Sequence, residues 1–343
     1  MNLTNFTNQF SQLGQVLIYI LTALGGLAGL SGLLNVIGPR TFAERQSRWL
    51  LVMVNAVFLA GFALICWLHL RIYQDLPLRL PADLVSWLNQ QLASMNSQAS
   101  YAFALYDPQS PPRYIIPLWI ENEKYYFWFM AYSLLSYFAW RRTDNRRLRG
   151  VLQIFLAVQI GILLAVANPF VRPLGKFFAE ITPWFHAQGA PMVQLGMFMK
   201  LYPRMVFYYN ASYMWLHPPM LFLSYACITI TFITSVFMLF KRELAIETLG
   251  YDFAKLGYFM LTLGMLLGYP WALQAWGPNW WWDPKICSSI MMWAIYSTYL
   301  HTRLYANKQK MWYFTSVLGV LCFLAMVFTF ITSFYFPGEH TFQ

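Results

Sequence analysis

Charge is what this sequence most lacks. Asp, Glu, Lys and Arg make up 10% of its 343 residues, against about 25% in an ordinary soluble domain. That shortage excludes a soluble enzyme. It also excludes a disordered chain, which needs charge and lacks apolar residues. The formal net charge of +10 does not indicate a nucleic-acid partner, because the cations are too few to build one wet basic face. Cysteine is scarce too. Cys66, Cys227, Cys287 and Cys322 form no C-x-x-C and no C-x-x-C-H, so neither thiol–disulfide exchange nor a c-type cytochrome is encoded here. Met1 to Gln15 carry no charged side chain. The basic n-region of a cleavable signal is therefore missing, and the first apolar run is expected to stay as a span. No internal repeat and no low-complexity segment stands out.

What is present is apolar. Hydrophobic residues make up 59% of the chain, aromatics 19%, and mean hydropathy is +0.45. Eight runs approach the ~20 residues that cross a hydrocarbon layer: Val16–Asn35, Leu51–Leu70, Tyr125–Trp140, Gly150–Ala167, Pro218–Phe240, Leu256–Ala275, Ile286–Thr302 and Met311–Pro337. Backbone polar groups in lipid must pair within their own segment, which predicts an all-α bundle in one membrane domain over 1–343. The alternating ten-residue segments of a β-barrel do not occur. Within the first run, Gly25, Gly26, Gly29 and Gly32 read as a helix-packing face.

Charge then orients the bundle. The short loops after the first, third, fifth and seventh runs hold fourteen of the 23 Lys and Arg residues. By the positive-inside rule these loops are cytoplasmic and both termini lie outside. Three segments then fall on the outer face: 71–124, 168–217 and the tryptophan-rich 276–285. The first two are long and punctuated by proline, as functional loops on a rigid scaffold often are.

Five of the fifteen tryptophans fall within twelve residues, at Trp271, Trp276, Trp280, Trp281 and Trp282. An interfacial aromatic belt is one reading. A belt scatters its indoles around the protein, however, whereas five are concentrated here in one loop, turned by Gly277-Pro278 and stopped by Asp283-Pro284. That pattern favours a flat apolar platform for a planar aromatic ligand, with Lys285 beside it for an anionic group. Asp283, just before a proline, is expected to cap the next helix. Glu121 and Glu123 lie at an outer helix start, where acids suit the dipole.

The chain has five histidines. His69, His186, His217 and His340 are expected at or beyond the outer face, on the same side as the tryptophans. His301 lies within the seventh run, near its cytoplasmic end, where an ionisable residue is costly and functional by default. Two imidazoles flanking a flat platform suit bis-histidine ligation of haem iron.

Trp276-Gly277-Pro278-Asn279-Trp280-Trp281-Trp282-Asp283-Pro284-Lys285 resembles the signature of the haem-handling membrane proteins of cytochrome c maturation, of CcsA, CcmF and CcmC types. The stretch through Tyr299-Leu300-His301-Thr302-Arg303 is similar to CcsA. Asn168-Pro169-Phe170 and the run from His217-Pro218-Pro219 to Tyr225 are more similar to CcmF. Length, span number and an external C-terminal histidine favour the CcsA type. The likeness covers roughly Asn168 to the end.

The resemblance implies non-covalent haem b, with its iron held outside by His217 and His340. It implies that Trp276, Trp280, Trp281, Trp282, Asp283 and Lys285 line the site. His301 is implied as ligand to a second, intramembrane haem, with its axial partner on a ResB/Ccs1-type membrane chain. The same likeness implies apocytochrome c as substrate, a role as a component of a cytochrome c haem lyase, and a bacterial inner membrane rather than a thylakoid. One departure stands out. Where CcsA-like chains continue Asp-Pro-Lys with Glu-Thr-Trp, this one has Ile286-Cys287-Ser288, which removes an acidic neighbour from Lys285. The alternative reading is a non-catalytic haem-binding or anchoring subunit of a larger membrane electron-transfer complex.

Overall fold

The structure, a computed structural model, describes residues 3–38, 44–97, 104–187, 191–305 and 311–338. Every regular element among them is helical. The long helices are α1 (Leu3–Ile37), α2 (Glu44–Asp75), α4 (Glu123–Arg142), α5 (Arg146–Ala165), α8 (His217–Phe240), α9 (Leu244–Trp276), α10 (Pro284–Arg303) and α11 (Met311–Tyr335). Shorter α3 (Ala82–Asn96), α6 (Gly175–His186) and α7 (Pro191–Arg204) fill the two long loops. Six helices (α1, α2, α5, α8, α9 and α11) are long and apolar enough to cross a membrane. The protein is a multi-pass membrane protein.

The remaining two expected spans, α4 and α10, are each 20 residues of helix but more polar. Their deficit lies partly in inward-facing hydroxyls, such as Tyr126, Tyr132, Ser133 and Ser136 of α4 and Ser288, Tyr296 and Tyr299 of α10, all buried. The packing absorbs several of these groups: Tyr126 donates to the Phe58 carbonyl at 3.1 Å and Tyr132 to that of Leu152 at 3.1 Å. Helix α4 packs on α2, α5 and α8, and α10 packs on α9 and α11.

Several helices outrun their apolar cores. Helix α1 begins at Leu3 rather than Val16, because Phe10 is buried against Phe170 and Ser11 Oγ donates to the Phe170 carbonyl at 2.7 Å. Helix α9 begins at Leu244 and runs 33 residues, roughly 50 Å at 1.5 Å per residue.

Glycine sets how closely helices approach. A Cβ on Gly25 would lie 2.6 Å from Ile160, on Gly29 2.7 Å from Ala157 Cβ, and on Gly32 2.6 Å from the Gly150 carbonyl. These three form the α1–α5 seam. Gly26 meets nothing within 4 Å and is not part of it. At the basic end of that seam Asn35 Nδ2 bridges Ser47 Oγ and Gln153 Oε1 at 3.0 and 3.2 Å, tying α1, α2 and α5 together. On α9, Gly250, Gly257 and Gly264 recur every seven residues and each lies against α8, at Thr234, Cys227 and Leu221. Small residues at helical spacing let backbones approach where lipid provides no hydrophobic drive.

Opposite the basic end, the two long loops form a layer of short helices. T-shaped contacts join Tyr114 to Phe177 at 4.9 Å and Tyr106 to Phe198 at 5.5 Å. Glu121 caps α6 rather than α4, accepting from the amides of Lys176 and Phe177 at 3.2 and 3.1 Å. Glu123, the first residue of α4, is buried and accepts the Glu121 amide at 3.2 Å.

Candidate functional site

The site forms where α4, α8 and α10 begin and α9 and α11 end. His217 is the first residue of α8. Its Nδ1 lies 2.6 Å from the carbonyl oxygen of Gly264. A carbonyl only accepts, so Nδ1 carries the proton, and in the neutral ring this tautomer leaves the lone pair on Nε2. The ring rests on Gly268, one turn further along α9, where a Cβ would lie 2.6 Å from both Nδ1 and Cε1. Gly264-Met265-Leu266-Leu267-Gly268 thus positions this histidine twice, once by accepting its proton and once by leaving room for its ring.

One residue on, Tyr269 meets the tryptophan loop, with ring centroids 5.6 Å from Trp280 and 5.9 Å from Trp281. Trp280 and Trp281 stack on each other at 4.3 Å and 21°. Trp280 is buried and its Nε1 has no hydrogen-bond partner among the described residues, while Trp281 is half exposed and Trp282 is 86% exposed. The loop therefore anchors one indole, stacks the second on it and projects the third into the surroundings. Trp280, Trp281 and Trp282 thus form a stepped aromatic surface. Trp271 lies lower on α9, and the Trp276 side chain is outside the described residues.

Asp283 ends the loop and caps α10, its Oδ1 accepting from the amides of Lys285 and Ile286 at 2.9 and 3.2 Å. Gly338, just past α11, sits against Asp283 and Pro284: a Cβ there would be 2.5 Å from the Asp283 carboxylate. His340 lies outside the described residues, two positions further along the chain. Cys287, at the position of the departure noted above, is exposed and its thiol donates to the Trp281 carbonyl at 3.3 Å.

Lys285 has a carboxylate in range after all. Asp283 supports its charge, although burial outweighs that support and brings the ammonium down to about 8. Lys124, 161 positions earlier at the start of α4, is also lowered to about 8, by burial first and by the Lys285 charge second. Two ammonium groups from separate helices thus share one region. Buried Glu123 next to Lys124 is pushed up to about 7 by desolvation. Trp119 joins the same edge, with its indole N–H donating to the Met214 carbonyl and its ring 6.1 Å from that of Trp215.

Lys124, Gly264, Gly268 and Tyr269 were not identified from the sequence. The Gly-x-x-x-Gly spacing was legible as a close-approach signal. The position of Lys124 beside Lys285 was not.

Other histidines lie elsewhere. His301 is exposed near the basic end of α10, its Nδ1 2.9 Å from the Ser297 carbonyl. His69 is buried, bonded through Nδ1 to the Ile116 carbonyl at 2.9 Å, and its Nε2 has no partner among the described residues. His186 is exposed at the end of α6.

The sequence pattern of the cytochrome C assembly protein family matches residues 119–340, roughly two thirds of the chain, from Trp119 through the tryptophan loop and beyond Gly338. The chain belongs to that family. Among curated proteins this assembly-family chain is similar to "Cytochrome c biogenesis protein CcsA" of Cyanidium caldarium, 40% identical over 83 residues, 24% of this chain and 28% of the relative. The CcsA protein of Chlamydomonas reinhardtii is 33% identical over 108 residues, 28% of this chain and 31% of the relative. The chain thus matches less than a third of the length of either. Among solved structures, "Cytochrome c Heme Lyase CcmF" superposes with a TM-score of 0.63 at 17% identity, over 97% of this chain and 48% of that one. That likeness is one of fold.

Proposed function

We propose that this protein binds haem b non-covalently on its tryptophan loop and presents it for thioether attachment to an apocytochrome c. The observation that carries the reading is the mounting of His217. Its Nδ1–H is taken by the Gly264 carbonyl, which is how ligating histidines are commonly oriented, and its Gly268 seat adjoins the Trp280–Trp281 stack. The second histidine that would hold the iron in this reading is His340, two positions past Gly338, which itself lies against Asp283.

The bundle has eight spans, counting α4 and α10, with both termini and the tryptophan loop on the outer side. The support is the clustering of Arg and Lys in the short loops at the opposite end. His301 serves a second haem within the membrane. Its exposure on α10 supports an axial partner from another chain, of the ResB/Ccs1 type.

Haem brings two vinyl groups, and the apocytochrome brings the thiols that add to them. The protein's own work is positional. His217 and His340 fix the iron, and the exposed faces of Trp281 and Trp282 hold the macrocycle by stacking and burial. Lys124 and Lys285 meet the propionates, and Asp283 keeps α10 and Lys285 in register. Holding reactants in one orientation can supply much of the rate without an acid or base from the protein.

The test is the optical spectrum of protein purified in mild detergent, beside a His217→Ala plus His340→Ala variant. A low-spin b-type spectrum that weakens in the variant is expected. Haem that is indifferent to both histidines, or no haem, would sink the external-site reading. The second reading, a non-catalytic subunit that kept the fold, is favoured by Ile286-Cys287 in place of the family's Glu-Thr. It predicts haem binding without attachment when an apocytochrome and reductant are supplied.

A further inference from the structure

At the basic end of the bundle, away from the tryptophan loop, a groove of about 540 Å³ opens between α5 and α8. Its wall is apolar and rich in phenylalanine, with Val151 and Phe155 from α5 and Phe232, Val236 and Phe237 from α8. Phe240 lines it too and is 87% exposed, so the groove opens outward from the bundle. Arg147, Lys241, Asn145 and Glu243 supply its polar lining.

Those polar groups are not equivalent. Asn145 caps α5 through Oδ1, at 3.0 Å from the Leu148 amide, and gives Nδ2 to Glu243 at 3.2 Å. Asn145 is thus committed to the start of α5, and Glu243 is held by it. Other cations nearby are also held: Arg142 pairs with Asp252 at 2.8 Å, and Arg146 donates to the carbonyls of Leu34 and Gly38. Arg147 and Lys241 are exposed and make no ion pair among the described residues. With Glu243 they leave one net positive charge over an apolar slot.

We propose that this groove is a binding site for one anionic phospholipid, its phosphodiester between Arg147 and Lys241 and an acyl chain along Phe155, Phe232 and Phe237. Charge complementarity selects the occupant. A single phosphodiester monoanion balances the mouth, whereas a zwitterionic lipid leaves it positive and a dicarboxylate such as haem overcompensates. Cationic pockets between helices at a membrane interface recognise anionic headgroups on these terms. Which leaflet supplies the lipid depends on the orientation proposed above, but the recognition does not.

The test uses the full chain in detergent, with phosphatidylglycerol and phosphatidylcholine as probes and native mass spectrometry as readout. Wild-type protein is expected to retain one phosphatidylglycerol per chain through delipidation and to release phosphatidylcholine. An Arg147→Gln plus Lys241→Gln variant should retain it about thirtyfold less well, given the roughly fivefold that each interfacial cation contributes. Val236→Trp, which fills the slot and keeps both cations, should also lose it. Equal retention of the two lipids, retention unchanged in the charge variant, or haem absorbance lost with the same two cations would each overturn the assignment.

Discussion

At the scale of single residues, the site depends on groups that hold other groups. Gly268 is the clearest case, because a methyl group there would meet the His217 ring at 2.6 Å. Gly268→Ala improves helix propensity and should leave the fold intact. Its expected effect is to displace the imidazole, with loss of the low-spin haem spectrum at unchanged melting temperature. A wild-type spectrum in that variant would count against His217 as ligand. The lysine pair makes a pH prediction. Lys124 and Lys285 both lose their protons near pH 8, and Glu123 gains its charge near pH 7. Each step makes the region less positive as pH rises, so haem affinity should fall between pH 7 and pH 9. A Lys124→Met plus Lys285→Met variant should bind more weakly at pH 7, by roughly thirtyfold if each charge-assisted contact is worth about 1 kcal/mol. Haem titrations at pH 7, 8 and 9 check both the slope and its loss in the variant.

At the scale of elements, helix pairing rests on glycine registers, and the α1–α5 seam permits a controlled comparison. Gly32→Leu drives a side chain into the Gly150 carbonyl and Gln153, whereas Gly26→Leu enters open space. The first should destabilise by about 1–3 kcal/mol or more through overpacking. The second, on a lipid-facing position, should be near neutral. Thermal melts of the two variants in the same detergent distinguish a packing seam from a general intolerance of bulk in α1. The two glycine neighbours Gly25 and Gly26 differ for a plain geometric reason: successive helical positions are about 100° apart, so one faces Ile160 and the other does not.

At the scale of the molecule, the bundle separates a basic end from an end built of aromatic rings. The Arg303–Glu247 ion pair closes the basic end between α10 and α9, and Arg142 and Lys255 share Asp252 there. The opposite end carries His217, the tryptophan loop and the layer of α3, α6 and α7. If the basic end is cytoplasmic, a cysteine placed at exposed Trp282 should react with an impermeant maleimide added to intact spheroplasts. One placed at exposed Asp144 should react only after permeabilisation. Labelling would be run in a background with Cys287 and Cys66 replaced by serine. The reverse pattern inverts the molecule and removes the tryptophan loop from the side where it is proposed to act.

The sequence by itself determined that this is a membrane protein, where its eight longest apolar runs lie and which loops are basic. Those properties are local, because hydropathy and charge act over about twenty contiguous residues. It also carried Asp283 as a helix cap, a signal contained within three residues. It did not reveal α3, α6 and α7: their amphipathic patterns are short, and those of α6 and α7 are interrupted by Pro183 and Pro203. Nor could it place Lys124 beside Lys285, Gly268 under His217 or Gly338 against Asp283. Each of those pairs is separated by tens to more than a hundred positions. The two members meet because the packing of α4 on α8, the glycine-lined α8–α9 seam and the packing of α10 on α9 and α11 bring distant helix ends to one place.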